Sequence, residues 1–373
     1  LRDLGVEIED LGGGRLRVHG RGLHGFNEPA GPLDCGNSGT TMRLLAGLLA
    51  GQPFRTTMIG DASLSGRPMA RVANPIREMG GFAEMTNGKP PLTVGGQPLR
   101  GMTYTLPMAS AQVKSCVLLA GLYADAPTRV IEPTPSRDHT ERLLGLVPEQ
   151  RTGGALVWTI EPGHVIPARH YRVPTDVSAA AFFLVAGSIA EEGEVRMENV
   201  GLNPTRTGVI DVLQRMGANI RIKNERSIGA EPVGDLIVTP APLRATRIAG
   251  DEIPRLIDEI PILCIAALFA EGTTDIRDAG ELRVKETDRI DAMATNLRRL
   301  GAEVETFEDG LSISGGQSLR GAEVESYHDH RIAMSMAVAA LRASGPTTIR
   351  GAEHAAVSFP AFWGELRRLA GSV

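Results

Sequence analysis

Composition and charge restrict the class of protein before any motif is considered. The chain has 373 residues, of which 42% are hydrophobic and 22% charged, and a formal net charge of −5. This length favours two domains of a globular protein, and the acidic balance argues against a nucleic-acid-binding protein. No apolar run reaches the ~18 residues of a membrane span, and no signal peptide is visible. The three cysteines form no C-x-x-C pair, so we expect free thiols in a reducing compartment, the cytoplasm.

A short pattern recurs along the chain at intervals of about 70 residues. Each copy consists of the basic last turn of an amphipathic helix, a glycine suited to the left-handed C′ position, and the start of a strand. The aligned positions are Gly5, Gly80, Gly145, Gly217 and Gly301, with Ala370 at the sixth. Helix–glycine–strand is common in α/β proteins, but the near-even spacing favours six repeats, three in each of two domains, 1–174 and 175–373.

The first copy of this pattern begins at residue 1, whereas each later copy follows about 60 residues of its own repeat. We therefore expect the first repeat to be truncated in this chain. We also expect the chain by itself to turn over poorly or not at all, because a truncated repeat leaves sheet edges unpaired and an apolar face open to water.

In the first half of the chain, two stretches suit the binding of a small anion. Residues 33–51 (LDCGNSGTTMRLLAGLLAG) form a glycine-rich turn that opens a helix at about Thr41. Such a turn directs main-chain N–H groups and the positive end of the helix dipole at a phosphate or carboxylate, although an ordinary N-cap turn is an equally good interpretation. Neither nucleotide-binding glycine motif is present. Residues 60–69 (GDASLSGRPM) add Arg67, beside which Pro68 fixes the backbone.

Two further helix starts carry several polar side chains. Residues 107–122 place four of them at the start of an otherwise apolar helix, namely Ser110, Gln112, Lys114 and Ser115. Because one cap satisfies a buried helix start, four polar side chains there indicate a ligand. Residues 134–144 (TPSRDHTERLL) bring Arg137, Asp138 and His139 to another helix start.

The second half of the chain contains candidate acid–base groups and further cations. Asp258 and Glu259 precede a wholly apolar run, where a carboxylate loses hydration and is suited to act as a general base, although acids are also common as N-caps. In residues 281–290 (ELRVKETDRI), Lys285 and Arg289 stand four apart, on one face if a helix begins near Lys285. This run is either a solvated helix face with ion pairs or a site for an anion.

Residues 327–341 (YHDHRIAMSMAVAAL) contain His328 and His330 next to Asp329 and Arg331. The H-x-H spacing can hold a metal, but no third ligand of matching type is apparent, so an anion-facing His/Arg pair is favoured. Cations lie at several junctions between a strand or loop and a helix, the usual ligand-facing edge of α/β folds: Arg67, Arg137, Lys285, Arg289 and Arg331. The sequence therefore predicts that a small, highly anionic substrate binds between the two domains.

With these stretches in place, the chain resembles the family of 5-enolpyruvylshikimate-3-phosphate synthases over essentially all of its 373 residues. The resemblance rests on GNSGTTMR, GDASLSGRPM, MASAQVKS, LRVKETDR and DHRIAM, which match the family's signatures in order and spacing. It implies an α/β fold of two domains, each built from three β-α-β-α-β-β units as an inside-out α/β barrel, with the first unit truncated here. The two domains are then expected to close over the substrates.

The resemblance also implies an activity in the shikimate pathway to aromatic amino acids. The enolpyruvyl group of phosphoenolpyruvate is transferred to the 5-hydroxyl of shikimate 3-phosphate and phosphate is released. The reaction passes through a tetrahedral intermediate by addition and elimination, without a metal ion or an organic cofactor. The implied partners are these two substrates and the inhibitor glyphosate, to which some members of this bacterial variety are tolerant. We expect a monomer that binds neither nucleic acid nor a membrane.

Individual residues receive roles from the same resemblance. Shikimate 3-phosphate is expected to bind Ser110, Ala111, Gln112, Arg137, Asp258 and Lys285. Phosphoenolpyruvate is expected to bind Asn37, Gly39, Thr40, Arg67, Gln112, Arg289 and Arg331. The expected catalytic residues are Asp258, which takes the 5-hydroxyl proton, Glu286, which exchanges protons at the methylene carbon, and Lys285. On this interpretation the anionic groups of the substrates lie between Lys285 and Arg289.

The chain departs from the family pattern at two places. The family's N-terminal Lys-Ser-x-Ser-x-Arg segment does not occur in this sequence, and Val357 stands where many members have a lysine before Phe-Pro. Two alternatives stay open. The UDP-N-acetylglucosamine enolpyruvyl transferases share the fold and the donor, but they carry a reactive cysteine ahead of their Arg-Pro that GDASLSGRP lacks. The other alternative is a non-catalytic, anion-binding remnant.

Overall fold

The computed structural model describes residues 1–371 and contains two compact units, Leu1–His170 and a second that begins at Tyr171. We call them the N-terminal and the C-terminal unit, and each has a hydrophobic core of its own. The division lies four residues before the boundary predicted from the sequence, between residues 174 and 175. No helix within residues 1–371 is both long enough and apolar enough to cross a membrane.

The N-terminal unit starts with a short 3-10 turn, Arg2–Leu4, and an antiparallel hairpin of β1 (Glu7–Gly12) and β2 (Arg15–His19). Both strands are largely exposed, whereas Leu4 is fully buried in the core of this unit. The turn is therefore tied to the core by one apolar side chain.

A complete β-α-β-α-β-β repeat follows the hairpin. Its elements are β3 (Leu33–Asp34), α1 (Gly39–Ala50), β4 (Arg55–Ile59), the short α2 (Ala62–Ser65), α3 (Ala70–Glu78), β5 (Ala83–Thr86) and β6 (Lys89–Gly95). The strand order is β3-β4-β6-β5, with β3 and β4 parallel and the other neighbours antiparallel. A parallel pair needs a crossover, and α1 provides it.

The second repeat of the N-terminal unit has the same construction. It consists of β7 (Thr103–Thr105), α4 (Ala111–Gly121), β8 (Thr128–Glu132), α5 (His139–Leu144), β9 (Glu149–Gln150) and β10 (Leu156–Ile160). Its strand order, β7-β8-β10-β9, repeats that of the preceding sheet.

The C-terminal unit opens with a third copy, in which Thr175 takes the place of the first strand through a parallel bridge to Val200. The copy continues with α6 (Val177–Ile189), β11 (Val195–Gly201), α7 (Gly208–Arg215), β12 (Asn219–Ile228) and β13 (Glu231–Thr239). These strands follow the order β11-β13-β12.

A fourth copy contains Asp258, Glu259, Lys285, Glu286 and Arg289. It consists of β14 (Leu243–Arg244), β15 (Arg247–Ile248), the 3-10 turns Gly250–Arg255 and Ile257–Glu259, α8 (Ile260–Leu268), β16 (Ala270–Glu271), β17 (Thr273–Ile276), the 3-10 turn Gly280–Val284, α9 (Arg289–Arg299), β18 (Val304–Phe307) and β19 (Gly310–Ser314). The main sheet has the order β15-β17-β19-β18, and β14 pairs with β16 in parallel.

The last elements are β20 (Glu323–Glu325), α10 (His330–Ala340), β21 (Thr348–Arg350), the 3-10 turn Ala352–Val357 and α11 (Phe362–Ala370). The strands β20 and β21 are parallel and α10 connects them. The predicted β-α-β-α-β-β repeat is thus confirmed as the building element of both units.

The glycines of the recurring sequence pattern lie where a left-handed backbone is required. All five have positive φ values: Gly5 (81°), Gly80 (82°), Gly145 (71°), Gly217 (95°) and Gly301 (92°). Residues with a Cβ rarely adopt this backbone conformation, so these glycines mark the ends of the helical segments that precede them. The sixth position was misaligned by one residue. Ala370 is the last residue of α11, and Gly371 has the positive φ, 79°.

Two helices of the C-terminal unit are apolar on all sides, and this explains the absence of an amphipathic pattern in them. Every residue of α8 is buried, and so are eleven residues of α6. A helix that is hydrophobic all round must be covered all round. Ser178, near the start of α6, and Glu259, directly before α8, are both buried with these helices.

Candidate active site

In the N-terminal unit, the glycine-rich turn leads directly into α1. The helix begins at Gly39, two residues earlier than the predicted start at Thr41. Ser38 is the N-cap, and its Oγ accepts a hydrogen bond from the main-chain N–H of Thr41 at 3.0 Å. The helix start is thus satisfied by its own cap.

Gln112 connects the start of α4 to α1. Its Nε2 donates to Thr40 Oγ1 at 2.7 Å, and its Oε1 accepts from Arg43 Nη1 at 2.5 Å. Arg43 is buried and also donates from Nη2 to the carbonyl oxygen of Pro68 at 3.2 Å. Both ends of the Gln112 amide are therefore fixed, which orients this predicted ligand of both substrates.

Arg67 joins the same group from the other side. Its Nη2 donates to Asn37 Oδ1 at 3.0 Å, and Asn37 Nδ2 donates to Asp61 Oδ2 at 2.7 Å. Burial would raise the pKa of Asp61, but hydrogen bonds from Leu64 N–H and Asn37, together with the Arg67 charge, hold it below its usual range. Asp61 is thus an anion that fixes Asn37, and Asn37 in turn orients Arg67.

Two guanidinium groups flank Gly39. A Cβ placed on this glycine would lie 3.1 Å from Arg43 Nη1 and 3.5 Å from Arg67 Nη1. The structure thereby brings together the predicted phosphoenolpyruvate residues of this unit: Asn37, Gly39, Thr40, Arg67 and Gln112. Arg43 was missed by the sequence analysis, although it closes the GNSGTTMR stretch one helical turn after Gly39.

The polar start of α4 divides into two sets. Ser110 is the N-cap, with its Oγ 3.5 Å from Val113 N, and Ala111 is the first helical residue. Lys114 instead points into the interior with no exposed surface, and Ser115 pairs with Thr140 at 2.8 Å. The interpretation that all four polar side chains meet a ligand is therefore wrong for Lys114 and Ser115, which have protein partners.

Lys114 belongs to a buried group with Glu132 and Glu141. Its Nζ lies 2.8 Å from Glu132 Oε2 and 3.6 Å from Glu141 Oε1, and all three side chains are fully buried. Burial raises the pKa of Glu141 to about 7, although the Lys114 charge opposes this. The Lys114 cation lies nearer to Glu132 than to Glu141, and the Glu141 carboxyl changes its protonation state near pH 7.

Glu132 also fixes the segment that carries Arg137. Its Oε1 accepts from the main-chain N–H of Ser136 at 2.8 Å and from Ser136 Oγ, while Oε2 accepts from Trp158 Nε1 at 3.1 Å. Arg137 follows immediately and is partly exposed, between β8 and α5. The predicted shikimate 3-phosphate residues of this unit, Ser110, Ala111, Gln112 and Arg137, thus belong to α4 and to the loop before α5.

In the C-terminal unit, Asp258 lies in the 3-10 turn that precedes α8. Its Oδ1 is 3.5 Å from Lys285 Nζ and 3.3 Å from Arg289 Nη1, and its side chain is 15% exposed. This carboxylate is held in place by two cations and stays accessible from solvent, as a proton acceptor must. The structure therefore groups the predicted base with two predicted substrate cations.

Lys285 and Arg289 do not share a helix face, because the condition for it, a helix that begins near Lys285, is not met. Lys285 ends the 3-10 turn Gly280–Val284 in an extended conformation, and α9 begins only at Arg289. The reason is Asp288, whose Oδ1 accepts from the N–H groups of Ile290 and Asp291, each at 3.1 Å. This N-cap forces the helix to start after it.

Arg289 is almost fully buried and is surrounded by protein carboxylates. Its Nε lies 2.8 Å from Asp329 Oδ2, and its Nη2 lies 2.7 Å from Glu286 Oε2. Burial would lower the pKa of Arg289, but Asp329, Glu286 and Asp258 raise it instead. A carboxylate of the protein, Asp258, stands between Lys285 and Arg289 in this structure, where the sequence analysis placed substrate anions.

The DHR stretch opens α10. Asp329 is the N-cap and accepts from the Arg331 N–H at 2.8 Å. Burial would raise the pKa of Asp329, but the charge and hydrogen bonds of Arg289 hold it below its usual range. Arg331 turns back to donate from Nη1 to the main-chain oxygen of Asp258 at 3.1 Å. The segment thus supplies one cation next to Asp258 and one anion beneath Arg289.

The two histidines of this stretch have different surroundings. Burial, followed by the Arg331 charge, lowers the pKa of His330 to about 4, so it is neutral near pH 7. His328 is exposed, and its Nδ1 lies 3.0 Å from Nε2 of His354. Within residues 1–371, no group of three or more His, Cys, Asp or Glu side chains is arranged to hold a metal ion.

Comparison with known proteins identifies the family. Residues 1–366 match the family model of EPSP synthase, described as 3-phosphoshikimate 1-carboxyvinyltransferase. The chain belongs to the EPSP synthase family. The 3-phosphoshikimate 1-carboxyvinyltransferase of Salinibacter ruber is 56% identical over 373 residues, covering 99% of this chain and 86% of that protein.

Solved structures agree with this membership. An EPSP synthase structure from Acinetobacter baumannii is similar with a TM-score of 0.86 and 48% identity, covering 99% of this chain and 85% of that one. The enolpyruvyl transferase NikO from Streptomyces tendae, at 19% identity and a TM-score of 0.74, covers 99% of this chain and 84% of that one and shares the fold. The predicted family, fold class and enzyme class are confirmed, and the UDP-N-acetylglucosamine alternative is not favoured.

Two contacts that support the candidate site join residues distant in sequence. Asp329 holds Arg289 across 40 positions of the chain, and Arg43 reaches Gln112 across 69. Asp329 could be named from its place before His330 and Arg331, but its contact with Arg289 could not be predicted. The only sequence signal for Arg43 is its spacing of one helical turn from Gly39.

Proposed function

We propose that the chain transfers the enolpyruvyl group of phosphoenolpyruvate to the 5-hydroxyl of shikimate 3-phosphate and releases phosphate. The observation that carries this proposal is the position of Asp258, between Lys285 and Arg289 at 3.5 and 3.3 Å, in a chain of the EPSP synthase family. A carboxylate flanked by cations suits the removal of a proton beside strongly anionic substrates.

In the proposed addition step, Asp258 takes the proton of the 5-hydroxyl, and the hydroxyl oxygen forms a bond to C2 of phosphoenolpyruvate. The electron pair of the C2–C3 double bond takes up a proton at the methylene carbon. Glu286, which lies 2.7 Å from Arg289 Nη2, is the proposed proton donor there, and Lys285 completes the catalytic group.

The elimination step reverses only the proton transfer at the methylene carbon. The C2–O bond to phosphate breaks, phosphate leaves with the electron pair and takes up the proton held by Asp258, and a proton returns from the methyl carbon to Glu286. The developing negative charge on phosphate is stabilised by nearby guanidinium groups. The step requires no oxidant, reductant or further group.

Binding roles are proposed for each unit separately. In the N-terminal unit, Ser110, Ala111, Gln112 and Arg137 bind shikimate 3-phosphate, and Asn37, Gly39, Thr40, Arg67 and Gln112 bind phosphoenolpyruvate. In the C-terminal unit, Asp258 and Lys285 contact shikimate 3-phosphate, and Arg289 and Arg331 contact phosphoenolpyruvate. The fixed amide of Gln112 and the flanked backbone of Gly39 support the assignments in the N-terminal unit.

Three further properties belong to the proposal. Glyphosate is expected to compete with phosphoenolpyruvate, the protein is expected to act as a monomer, and its compartment is the cytoplasm. All three cysteines are buried free thiols, as is typical of a reducing compartment.

The experiment that tests the proposed function compares two acceptors with one donor. Phosphate release from phosphoenolpyruvate is measured with shikimate 3-phosphate, with UDP-N-acetylglucosamine and with neither. We expect release with shikimate 3-phosphate alone, together with an equal amount of the enolpyruvyl ether by mass spectrometry. Release with UDP-N-acetylglucosamine in place of shikimate 3-phosphate, or release without formation of the enolpyruvyl ether, would contradict the proposal.

A further inference from the structure

A series of polar contacts in the C-terminal unit leads from Arg206 to Arg331. Arg206 Nη2 donates to Ser178 Oγ at 2.5 Å, and Ser178 Oγ donates to Glu259 Oε1. The same Glu259 oxygen lies 3.5 Å from Arg331 Nη1. The contacts connect the loop before α7, the start of α6, the 3-10 turn Ile257–Glu259 and the start of α10.

Burying the Glu259 carboxylate costs folding free energy. Its side chain has no exposed surface, and it immediately precedes the fully buried α8. A carboxylate withdrawn from water destabilises the fold unless cations and donors surround it. Its Oε2 has no hydrogen-bond partner within residues 1–371, so burial is compensated through Oε1 alone. Packing alone would be served better by an apolar side chain at this position.

Arg331 is held at one nitrogen by two consecutive residues. Its Nη1 donates to the main-chain oxygen of Asp258 at 3.1 Å and faces Glu259 Oε1 at 3.5 Å. The guanidinium group is only 14% exposed. The position of Arg331 is therefore set relative to the proposed base, because Asp258 and Glu259 belong to the same 3-10 turn, Ile257–Glu259.

Charge within this group is balanced. Arg206 also forms an ion pair with Asp176 at 3.1 Å, so Arg206 and Arg331 are matched by Asp176 and Glu259. Ser178 accepts from one side and donates to the other, and thereby fixes the orientation of the Glu259 carboxylate. A side chain between two such partners has one preferred rotamer.

We propose that Glu259 is a positioning residue that holds Arg331 ready for the anionic groups of phosphoenolpyruvate, with Ser178 and Arg206 keeping Glu259 in place. The inference rests on the proposed function, in which Arg331 contacts this substrate. A long, flexible arginine loses conformational freedom when it binds an anion, and fixing it beforehand reduces that loss. Glu259 acts on binding through Arg331 and touches no substrate itself.

The test uses Glu259→Gln, which preserves shape and the acceptor for Ser178 but removes the charge facing Arg331. We expect KM for phosphoenolpyruvate to rise roughly tenfold or more, with KM for shikimate 3-phosphate within about twofold of wild type. Ser178→Ala should change KM in the same direction by a smaller factor. Glu252→Gln is the matched control, because Glu252 pairs with Arg215 at 3.0 Å in the neighbouring 3-10 turn. This control should leave both KM values unchanged.

A double variant distinguishes an effect of Glu259 on the position of Arg331 from a nonspecific loss of structure. If Glu259 acts through Arg331, adding Glu259→Gln to Arg331→Lys should raise KM for phosphoenolpyruvate by less than twofold beyond Arg331→Lys alone. Fully multiplicative effects, or a fall in kcat with both KM values unchanged, would overturn the inference. So would a loss of thermal stability with unaltered kinetics. Phosphate release by the wild-type protein without formation of the enolpyruvyl ether would overturn the proposed function as well, and this result is distinct from the others.

Discussion

Asp258 Oδ1 lies 3.3 Å from Nη1 of Arg289, a side chain with 1% exposure. The proposed base is therefore linked directly to the most buried cation of the group. Asp329 and Glu286 hold the other nitrogens of that guanidinium, at 2.8 and 2.7 Å. The position of the base is thus determined by a buried ion-pair network, while its own side chain keeps access to solvent.

Asp258→Asn should separate catalysis from binding. The amide preserves shape but cannot take the 5-hydroxyl proton, so we expect kcat to fall roughly 10²–10⁴-fold with little change in affinity for either substrate. Steady-state kinetics and isothermal titration measure the two quantities. A collapse of affinity with surviving turnover per bound complex would instead make Asp258 a binding residue.

Gly39→Ala should discriminate between the substrate and a bulkier analogue of it. The added methyl would lie 3.1 Å from Arg43 Nη1, so this guanidinium must shift by a few tenths of an ångström. We expect a folded protein, a modest rise in KM for phosphoenolpyruvate and a larger loss of inhibition by glyphosate. Inhibition constants are compared with those of Gly364→Ala, whose added Cβ meets nothing within 4 Å. Equal glyphosate inhibition of wild type and Gly39→Ala would refute the steric argument.

Glu141 should make the stability of the N-terminal unit depend on pH. Its pKa rises from 4.5 in the unfolded chain to about 7 in the folded protein, so the unfolded state loses its proton first as pH increases. Stability from this group is complete below pH 4.5 and is lost as pH rises through about 7. We expect Glu141→Gln to gain about 2–3 kcal/mol relative to wild type between pH 4.5 and pH 8.

Urea unfolding of both proteins at several pH values, followed by the fluorescence of Trp158, measures this difference. Trp158 reports on the same region, because its Nε1 donates to Glu132 at 3.1 Å. A stability difference that stays constant between pH 4.5 and pH 8 would contradict the elevated pKa.

Lys114 should be essential for the fold and unimportant as a substrate ligand. Lys114→Met leaves Glu132 buried without its cation, and we expect a loss of about 3–5 kcal/mol. Adding Glu132→Gln removes the uncompensated charge and should restore part of that loss. Urea unfolding of Lys114→Met and of the double variant gives the unfolding free energies that test this prediction. If Lys114→Met had unaltered stability and a raised KM for shikimate 3-phosphate, Lys114 would be a substrate ligand instead.

The sequence predicts those features that depend on local geometry. The five repeat glycines could be found because a left-handed helix end excludes nearly every other residue. Asp258, Lys285, Glu286 and Arg289 lie together in the structure. Their roles were assigned from the resemblance of short motifs to the family and stay predictions. Lys114 was misinterpreted, since a polar residue at a helix start has the same pattern whether it faces a ligand or a buried carboxylate.

Contacts between distant parts of the chain could not be predicted from one sequence. Ser178 meets Glu259 across 81 positions, and Arg289 meets Asp329 across 40. Periodicity indicates which face of a helix is buried but not which residue it meets. The start of α9 was left open for a related reason, because the sequence does not show that Asp288 is the N-cap of this helix.

The most direct test of enolpyruvyl transfer follows the oxygen that bridges carbon and phosphorus in phosphoenolpyruvate. The protein is given shikimate 3-phosphate and phosphoenolpyruvate labelled with ¹⁸O at this position, and the released phosphate is analysed by mass spectrometry. Addition and elimination break the bond between carbon and this oxygen, so we expect the label to leave with phosphate. Unlabelled phosphate would show that the bond between phosphorus and oxygen breaks instead, and would contradict enolpyruvyl transfer.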